Sequence, residues 1–307
     1  MPAQSAILPL PSAHARFIVL NQHQLSLDTF KEKLALMLAL RDHYLTQYRE
    51  ANLRVSIAFG LNFWQKLYEH TPEGLHELQP ITTGAMPMPA SPADVLVHIA
   101  AERADLCFAL SQALLSGVEG QVQVLDERAC FKYLDSRDLT GFIDGTENPQ
   151  IMEDRAETAL LDSSHGVFAD GSLVFAQRFV HDLPKFNRLK VDAQEQVFGR
   201  SKLESFEMAD EVKPKNAHIA RVVVEDTQGE ELEILRHSLP YGDGSGDQGL
   251  FFIAYSKDLD RIDLMLQRMH GAVGDGLHDR LLHFTTPVNG AYFFAPSVAL
   301  LAQVLAV

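Results

Sequence analysis

Cysteine is scarce in this chain, and its two copies match no metal-binding or redox pattern. Cys107 and Cys130 form neither a Cys-x-x-Cys motif nor part of a zinc-ligand set. This argues against a cysteine-based metal centre or a dithiol site. Two thiols without a pairing pattern are typical of a reducing compartment, so we expect a cytoplasmic location.

Basic residues are also few. The chain has 26 lysines and arginines against 41 aspartates and glutamates, which gives a net charge of −15 at pH 7. A protein that binds nucleic acid needs clustered lysine and arginine to neutralise phosphates. The sequence therefore predicts no nucleic-acid partner.

Long uninterrupted apolar runs are missing too. The first residues, MPAQSAILPLPSAHAR, have no basic segment before an apolar one, and prolines interrupt them, so we expect no export signal. The stretch from Leu281 to Val307 has no formally charged residue, but Pro287 and Pro296 interrupt it. It predicts a buried strand, AYFFAP, and a short helix, SVALLAQVLAV, with no membrane span.

Two segments of the chain repeat one pattern about half a chain length apart. They are VHIAAERADLCFALSQALL (97–115) and FFIAYSKDLDRIDLMLQRM (251–269). Each reads as an apolar strand ending in Ile-Ala, a polar turn and an amphipathic helix. With further strand patterns, such as HARFIVLNQ and SLVFAQRFVHD, the repeat predicts an α+β protein of two similar halves. Each half is expected to be an antiparallel sheet with helices on one face, and a ligand could lie between the two sheets.

The stretch GFIDGTENP, from Gly141 to Pro149, places one carboxylate among apolar residues and glycines. The simpler interpretation of Asp144 is a turn residue that bonds its own backbone. The alternative is a buried carboxylate that transfers protons, because Phe142 and Ile143 would desolvate it and the glycines allow a close backbone approach. The sequence has no HExxH, P-loop or GxSxG motif that would indicate another chemistry.

A second candidate region surrounds a predicted hairpin. The segments HIARVVVED and EELEILRHSLP flank the turn at 227–229. His218 lies about as far before this turn as Arg236 lies after it, so we expect both at one end of a sheet. The simpler interpretation is a solvated strand start and an edge arginine, whereas an arginine on an apolar strand can also hold an anion. His237 is expected to face away from Arg236.

Four segments together resemble the dye-decolourising peroxidases, a family of haem enzymes. They are GFIDGTENP, NAHIARV, ILRHSLPYG and GLFFIAYSKD, in this order. The resemblance covers most of the chain and is strongest to the cytoplasmic bacterial branch without an export signal. It implies two ferredoxin-like domains of the dimeric α/β-barrel type, with antiparallel sheets. The N-terminal domain would span residues 1–150 and end in the GxxDG distal loop, and the haem-binding domain would span 151–307.

The resemblance also implies roles for three residues. His218 matches the proximal histidine that ligates the haem iron. Asp144 matches the distal aspartate of the GxxDG motif, and Arg236 matches the distal arginine. A carboxylate base and an arginine beside the iron would handle the protons and the negative charge of peroxide cleavage.

Further residues are expected around the cofactor by the same resemblance. Ser238 lies where the family has a distal polar side chain, often asparagine, and Gly145 and Thr146 are expected to contact the haem. Asp279 resembles the acidic partner of the proximal histidine, with Asp263 as an alternative.

The activity implied is reduction of hydrogen peroxide to water, with oxidation of a small organic donor such as a dye or phenol, at one haem b per chain. Dyes are too large for a dry pocket, so Trp64, Tyr241 and Tyr255 are candidate relays to the surface, or simply core aromatics. The alternative function is haem handling or iron release with incidental peroxidase activity. We expect a homo-oligomer, a dimer or larger, and no membrane partner.

Overall fold

The computed structural model describes residues 2–306, which form ten strands and nine α-helices. The strands are β1 (His14–Asn21), β2 (Arg54–Phe59), β3 (Val95–Ala101), β4 (Gln123–Phe131), β5 (Ser172–His181), β6 (Leu235–Arg236), β7 (Leu239–Gly242), β8 (Gln248–Ser256), β9 (Thr285–Pro287) and β10 (Ala291–Ala295). The helices are α1 (Leu27–Gln47), α2 (Leu61–Leu67), α3 (Ala104–Leu115), α4 (Met152–Ala159), α5 (Leu183–Phe186), α6 (Val191–Phe198), α7 (His218–Val222), α8 (Asp260–His270) and α9 (Val298–Leu305).

The sheet closes on itself as an antiparallel barrel. The first half has the strand order β4-β1-β3-β2, and the second half has the matching order β10-β5-β8-β7. Strand β2 pairs with β10, and β7 pairs with β4, so the two half-sheets join at both edges. The order 4-1-3-2 in each half is that of a βαββαβ unit, which confirms the α+β fold of two ferredoxin-like halves.

The repeated segments occupy equivalent places in the two halves. The first forms β3 and α3, and the second forms β8 and α8. Each strand is the third of its half, and each helix packs on the outer face of the sheet. The internal similarity of the sequence therefore reflects a structural repeat.

Two apolar cores lie on the two faces of the barrel wall. The outer core packs the strands against α1, α3, α8 and α9, and includes Phe30, Trp64 and Leu266. The inner core fills the barrel, where Phe17 and Phe251 stack with ring centroids 4.3 Å apart. The space between the half-sheets is thus packed with side chains, and the prediction of a ligand between the two sheets is wrong.

The region around His218 also differs from the prediction. Residues 218–222 form α7, whereas the β-branched run was predicted as a strand. Tertiary contacts explain the difference, because the buried guanidinium of Arg221 donates to the carbonyl of Arg268 at the end of α8 and pairs with Asp275. These bonds satisfy one carbonyl group at the end of α8 and hold the segment as a helix against it. The predicted hairpin shrinks to a single bridge between Glu225 and Glu231.

Individual residues at the helix ends explain where several helices begin and stop. Ser26 caps α1 by accepting from the Thr29 amide. Gly199 ends α6 with a φ of +81°, a left-handed conformation that glycine adopts without strain. The uncharged C-terminal stretch forms β10 and α9, as predicted. Among residues 2–306, no helix is long and apolar enough to cross a membrane.

Candidate active site

The loop that carries Asp144 is braced by a single arginine. The Arg137 guanidinium donates to the carbonyls of Gly141 and Lys202 at 2.8 Å, and to that of Leu203 at 2.9 Å. The Asp144 amide donates to the Ser136 carbonyl at 2.9 Å. These bonds tie the loop to itself and to the segment that follows α6, so Asp144 is held on a rigid support.

The aromatic residue of the motif connects this loop to His218. Phe142 is buried and stacks on Phe198, with ring centroids 4.0 Å apart. Phe198 in turn meets the His218 ring edge to face at 6.1 Å. Phe142 therefore belongs to an aromatic cluster, shared with Phe186, that fixes the distance between the two candidate residues.

Asn148 positions Arg236, a relationship that the sequence reasoning missed. The Asn148 side chain donates to the Arg236 carbonyl at 2.8 Å and accepts from the Arg236 amide at 3.0 Å. One amide thus replaces a strand partner on β6. The signal was present in the motif, because an asparagine amide can donate and accept at once, as a backbone peptide does.

Asp144 and Arg236 face each other at the mouth of this site. Asp144 Oδ1 lies 3.7 Å from Arg236 Nη1 and accepts from the Gly145 amide at 2.7 Å. Burial raises the pKa of Asp144, and the nearby charge of Asp138 adds to the rise, whereas Arg236 and His218 oppose it. The net effect is a carboxylate whose pKa lies above its ordinary value, as suits a group that accepts and returns protons.

His218 is oriented by Asp279. The imidazole Nδ1 lies 2.6 Å from Asp279 Oδ2, and the carboxylate is fully buried. The other carboxylate oxygen accepts from the Leu281 amide at 2.8 Å, so Asp279 is itself fixed. Asp263, the alternative partner, instead contacts His76 and Tyr292. The structure therefore brings Asp279 and not Asp263 to His218.

A second buried carboxylate lies close to Asp144. Asp138 accepts from the amide and hydroxyl of Thr140 and pairs with His181 Nε2 at 3.1 Å. Burial alone would raise the pKa of Asp138, but the charge of His181 and the hydrogen bonds from His181 and Thr140 lower it to about 2. Asp138 is therefore a permanent negative charge beside Asp144, and this charge disfavours ionisation of Asp144.

The remaining predicted residues occupy different positions. The Ser238 hydroxyl is buried and accepts from the Ile253 amide at 3.3 Å, so it is already used by the sheet. Gly145 is half-buried with a φ of +75°, and Thr146 is exposed at the rim of the loop. A side chain at Gly145 would be strained by this backbone conformation.

The three candidate relay residues all lie in the apolar cores. Trp64 packs on the outer core, whereas Tyr241 and Tyr255 belong to the core inside the barrel, and each is almost fully buried. None of the three presents a ring on the surface. His237 faces the barrel interior beside Tyr255, away from Arg236, as predicted.

The donor atoms fit a haem. Among residues 2–306, His218 Nε2 has no hydrogen-bond partner, while Nδ1 is held by a carboxylate, which leaves Nε2 available as an axial ligand. The Phe198 ring lies beside His218, and Asp144, with its raised pKa, and Arg236 complete the set. His218 would ligate the iron of a haem bound here, and Asp144 and Arg236 would supply polar groups for peroxide.

Comparisons with known proteins identify the family of the chain. The chain matches the family models described as Dyp-type peroxidase, N-terminal, over residues 4–132 and Dyp-type peroxidase, C-terminal, over residues 135–300. It is 40% identical to the dye-decolorizing peroxidase of Mycolicibacterium paratuberculosis over 255 residues, which covers 82% of this chain and 72% of that protein.

Solved structures show the same similarity. The dye-decolorizing protein from V. cholerae is 42% identical, with a TM-score of 0.92 over 98% of this chain and 99% of that one. A variant of DypB from Rhodococcus jostii RHA1 in complex with heme is 36% identical, with a TM-score of 0.88 over 98% and 97% of the two chains.

A more distant similarity is 26% identity to the deferrochelatase of Escherichia coli (strain UTI89), over 51% of this chain and 42% of that protein. The two family models together span most of the chain, and the full-length neighbours share its fold. The chain therefore belongs to the Dyp-type peroxidases and is a haem peroxidase.

Proposed function

We propose that His218, Asp144 and Arg236 form the peroxidase centre, with one haem b per chain held on the C-terminal half. The observation that carries this proposal is the unequal use of the two His218 nitrogens. Nδ1 is bonded to a buried carboxylate, and Nε2 has no partner within residues 2–306. This is the arrangement expected of a ligand whose orientation is fixed in advance.

His218 would bind the iron, and Asp279 would hold the His218 ring in place. Haem, when bound, supplies the redox-active iron at which the O–O bond of peroxide is cleaved. Asp279 would give the imidazole partial imidazolate character by accepting a hydrogen bond from Nδ1–H, which increases electron donation through Nε2. Because Asp279 also accepts from the Leu281 amide, it cannot swing away from the ring.

Asp144 would move the protons. Hydrogen peroxide must lose a proton from one oxygen and return it to the other, which leaves as water. A carboxylate with a raised pKa, held by the Gly145 amide, can accept the first proton and donate it in the second step. The buried Phe142 beside it limits the entry of water.

Arg236 would stabilise negative charge as the O–O bond breaks. Its guanidinium lies near Asp144 but at 3.7 Å is not tightly paired, so its hydrogen-bonding groups stay available for a peroxide oxygen. Asn148 fixes the backbone of Arg236 by bonding both its amide and its carbonyl group. The charge is therefore in place before peroxide arrives.

The test compares absorption spectra of the wild type and the His218→Ala variant, before and after one equivalent of hydrogen peroxide. We expect a Soret band that shifts promptly in the wild type and is lost or weakened in the variant. The exposed His70, replaced by alanine, serves as the matched control. A wild-type Soret band that does not shift with peroxide would overturn the peroxidase centre. No Soret band in the wild type, although haem is supplied, would overturn the ligand assignment.

Haem handling is the alternative function, and the distant similarity to deferrochelatase is the observation that raises it. Both functions need His218, but only a peroxidase needs Asp144 and Arg236 for rate. We expect Arg236→Leu to slow the peroxide-induced Soret change by about 10²–10³-fold with haem retained. Replacement of the exposed Arg188 by leucine should leave the rate unchanged. Full rates in both Asp144→Asn and Arg236→Leu would favour haem handling.

Donor, assembly and location complete the proposal. We infer that small organic molecules such as phenols and dyes supply electrons, one at a time, and that the chain works in the cytoplasm as a dimer or larger homo-oligomer. Light scattering on a gel-filtered sample tests the assembly, because a monomer would have a mass of 34.2 kDa. Detection of the protein in cell fractions tests the location.

A further inference from the structure

The loop between α2 and β3 is fastened to α8 at both ends of that helix. Near the start of α8, His76 Nε2 lies 2.8 Å from Asp263 Oδ2. At the end of α8, the Met86 amide donates to the His270 carbonyl at 3.3 Å, and His270 Nδ1 donates to the Met86 carbonyl at 2.9 Å. The contact at Met86 is made of ordinary hydrogen bonds, whereas the contact at His76 joins an imidazole to carboxylates.

Three side chains of metal-ligating type meet at the start of α8. His76, Asp260 and Asp263 each offer one ligand atom, and these atoms lie within 4.8 Å of one another. Asp260 and Asp263 are three residues apart on α8, so they share one side of the helix. Within residues 2–306, this is the one group of three histidine, cysteine or acidic side chains that is close enough to hold a metal ion.

The His76 ring is oriented by a group outside this cluster. Nδ1 lies 2.9 Å from the Gly74 carbonyl oxygen, which can only accept, so Nδ1 carries a proton. In a neutral ring the lone pair is then on Nε2, which faces the Asp263 carboxylate. Two acceptors this close require a cation, which is either a second proton on the ring or a metal ion. A backbone carbonyl on the far nitrogen is the usual support of a histidine that binds a metal.

Asp263 is supported from outside the cluster as well. The hydroxyl of Tyr292, which is only 3% exposed on β10, donates to Asp263 Oδ1 at 2.8 Å. Burial raises the pKa of Tyr292, and Asp263 and Asp260 raise it further, so the phenol stays protonated and continues to donate. This bond occupies Oδ1 and leaves Oδ2 for a cation beside His76. The Tyr292 and His76 rings also meet edge to face at 5.2 Å.

An ion pair between His76 and Asp263 does not account for the third side chain. The carboxylate of Asp260 makes no hydrogen bond or ion pair within residues 2–306. One imidazolium beside two carboxylates leaves an excess of negative charge, which a divalent ion would neutralise. The His76 and Asp263 side chains are 39% and 32% exposed, so an ion could enter and water could complete its coordination.

From this arrangement we propose that His76, Asp260 and Asp263 bind one divalent transition-metal ion. The ion replaces the proton between His76 and Asp263 and gains Asp260 as a third ligand. Calcium and magnesium take oxygen ligands, whereas an imidazole nitrogen with carboxylates suits ions such as zinc. The bound ion clamps the loop to α8, and this site is independent of the proposed peroxidase centre.

Isothermal titration calorimetry with zinc chloride tests the site in the haem-loaded protein, after treatment with EDTA and desalting. The wild type should bind one zinc ion, and His76→Ala, Asp260→Asn and Asp263→Asn should each weaken binding at least tenfold. Tyr292→Phe should weaken it about tenfold, because the support of Asp263 is lost. An excess of magnesium should not compete.

His278→Ala is the matched control. His278 Nε2 lies 3.1 Å from His283 Nε2, so this exposed pair is the competing place for zinc. Zinc should bind to His278→Ala as to the wild type. Thermal unfolding is a second readout, because zinc should raise the Tm of the wild type and of His278→Ala but not that of His76→Ala.

Several outcomes would overturn the metal site without touching the peroxidase centre. They are an absence of zinc binding by the wild type, and loss of binding in His278→Ala together with normal binding in His76→Ala. Wild-type affinity in Asp260→Asn would show that the contact is an ion pair and not a three-ligand site. Competition by magnesium would overturn the assignment to a transition metal.

Discussion

Asn148 and Arg236 are joined by two hydrogen bonds between one side-chain amide and the backbone of one residue. The Asn148 amide nitrogen donates to the Arg236 carbonyl at 2.8 Å, and its oxygen accepts from the Arg236 amide at 3.0 Å. This pair connects the end of the Asp144 loop to β6. Both candidate distal residues therefore depend on the Asn148 side chain.

We predict that Asn148→Ala lowers both stability and peroxide reactivity. Two buried hydrogen bonds contribute about 1–3 kcal/mol to the free energy of unfolding, and their loss frees Arg236 to shift. Denaturant unfolding and the rate of the Soret change measure the two effects. Asn187→Ala, at an exposed position, is the control, and Asn148→Asp should lose the bond to the Arg236 carbonyl. Wild-type rate and stability in Asn148→Ala would contradict the positioning role.

Replacement of Asp279 by asparagine should raise the reduction potential of the haem iron. The neutral amide is a weaker hydrogen-bond acceptor for His218 Nδ1–H than the carboxylate is. The imidazole therefore donates less charge to the ferric iron. Spectroelectrochemical titration measures the potential. Asp263→Asn is the matched control, because Asp263 bonds His76 and Tyr292 and should not change the potential. Equal shifts in both variants would contradict the pairing of Asp279 with His218.

Asp144→Asn should stabilise the haem-free protein at neutral pH. Because the folded pKa of Asp144 lies above its unfolded value, the folded state binds more protons, and stability falls as pH rises between the two values. In the Asp144→Asn variant, stability does not fall in this way, because the amide does not ionise. Its advantage in denaturant unfolding should therefore be present near pH 7 and disappear below the ordinary carboxyl pKa. An advantage independent of pH would show that ionisation of Asp144 is not its cause.

Asp138→Asn should change the stability of the folded protein in the opposite direction from Asp144→Asn. The folded pKa of Asp138 is lowered from 3.8 to about 2, so the wild type gains about 2 kcal/mol above pH 4 and loses it as pH falls towards 2. The variant should be destabilised by about this amount at pH 7, with the difference shrinking in acid. In the haem-loaded enzyme, loss of this charge should also move the acid limb of the peroxide reaction to lower pH. An unchanged acid limb would contradict the influence of Asp138 on Asp144.

Much of the candidate site could be predicted from local sequence. GFIDGTENP contains glycines at 141 and 145 whose φ angles are positive, and a carboxylate between them, so the loop and its chemistry are encoded together. The strand–helix repeat likewise predicted two equivalent halves, because apolar periodicity reports which face of each element is buried. The domain boundary at residue 150 remains a prediction.

Other features depended on contacts distant in sequence. His218 was predicted on a strand, but Arg221 and the end of α8 hold its segment as α7. The choice between Asp279 and Asp263 could not be made from spacing, because each lies far from His218 along the chain. The pairing of Tyr255 with His98 joins residues from the two halves, and nothing in either segment indicates it.

The sequence by itself determined the family, the two-fold repeat and the groups that we propose handle peroxide, because these depend on short motifs and on periodicity. The tertiary structure decided which carboxylate meets His218, how Asn148 supports Arg236, and that the half-sheets enclose a packed core. The physical reason is that hydrogen-bond partners and burial are set by barrel closure, which brings together residues that no local pattern connects.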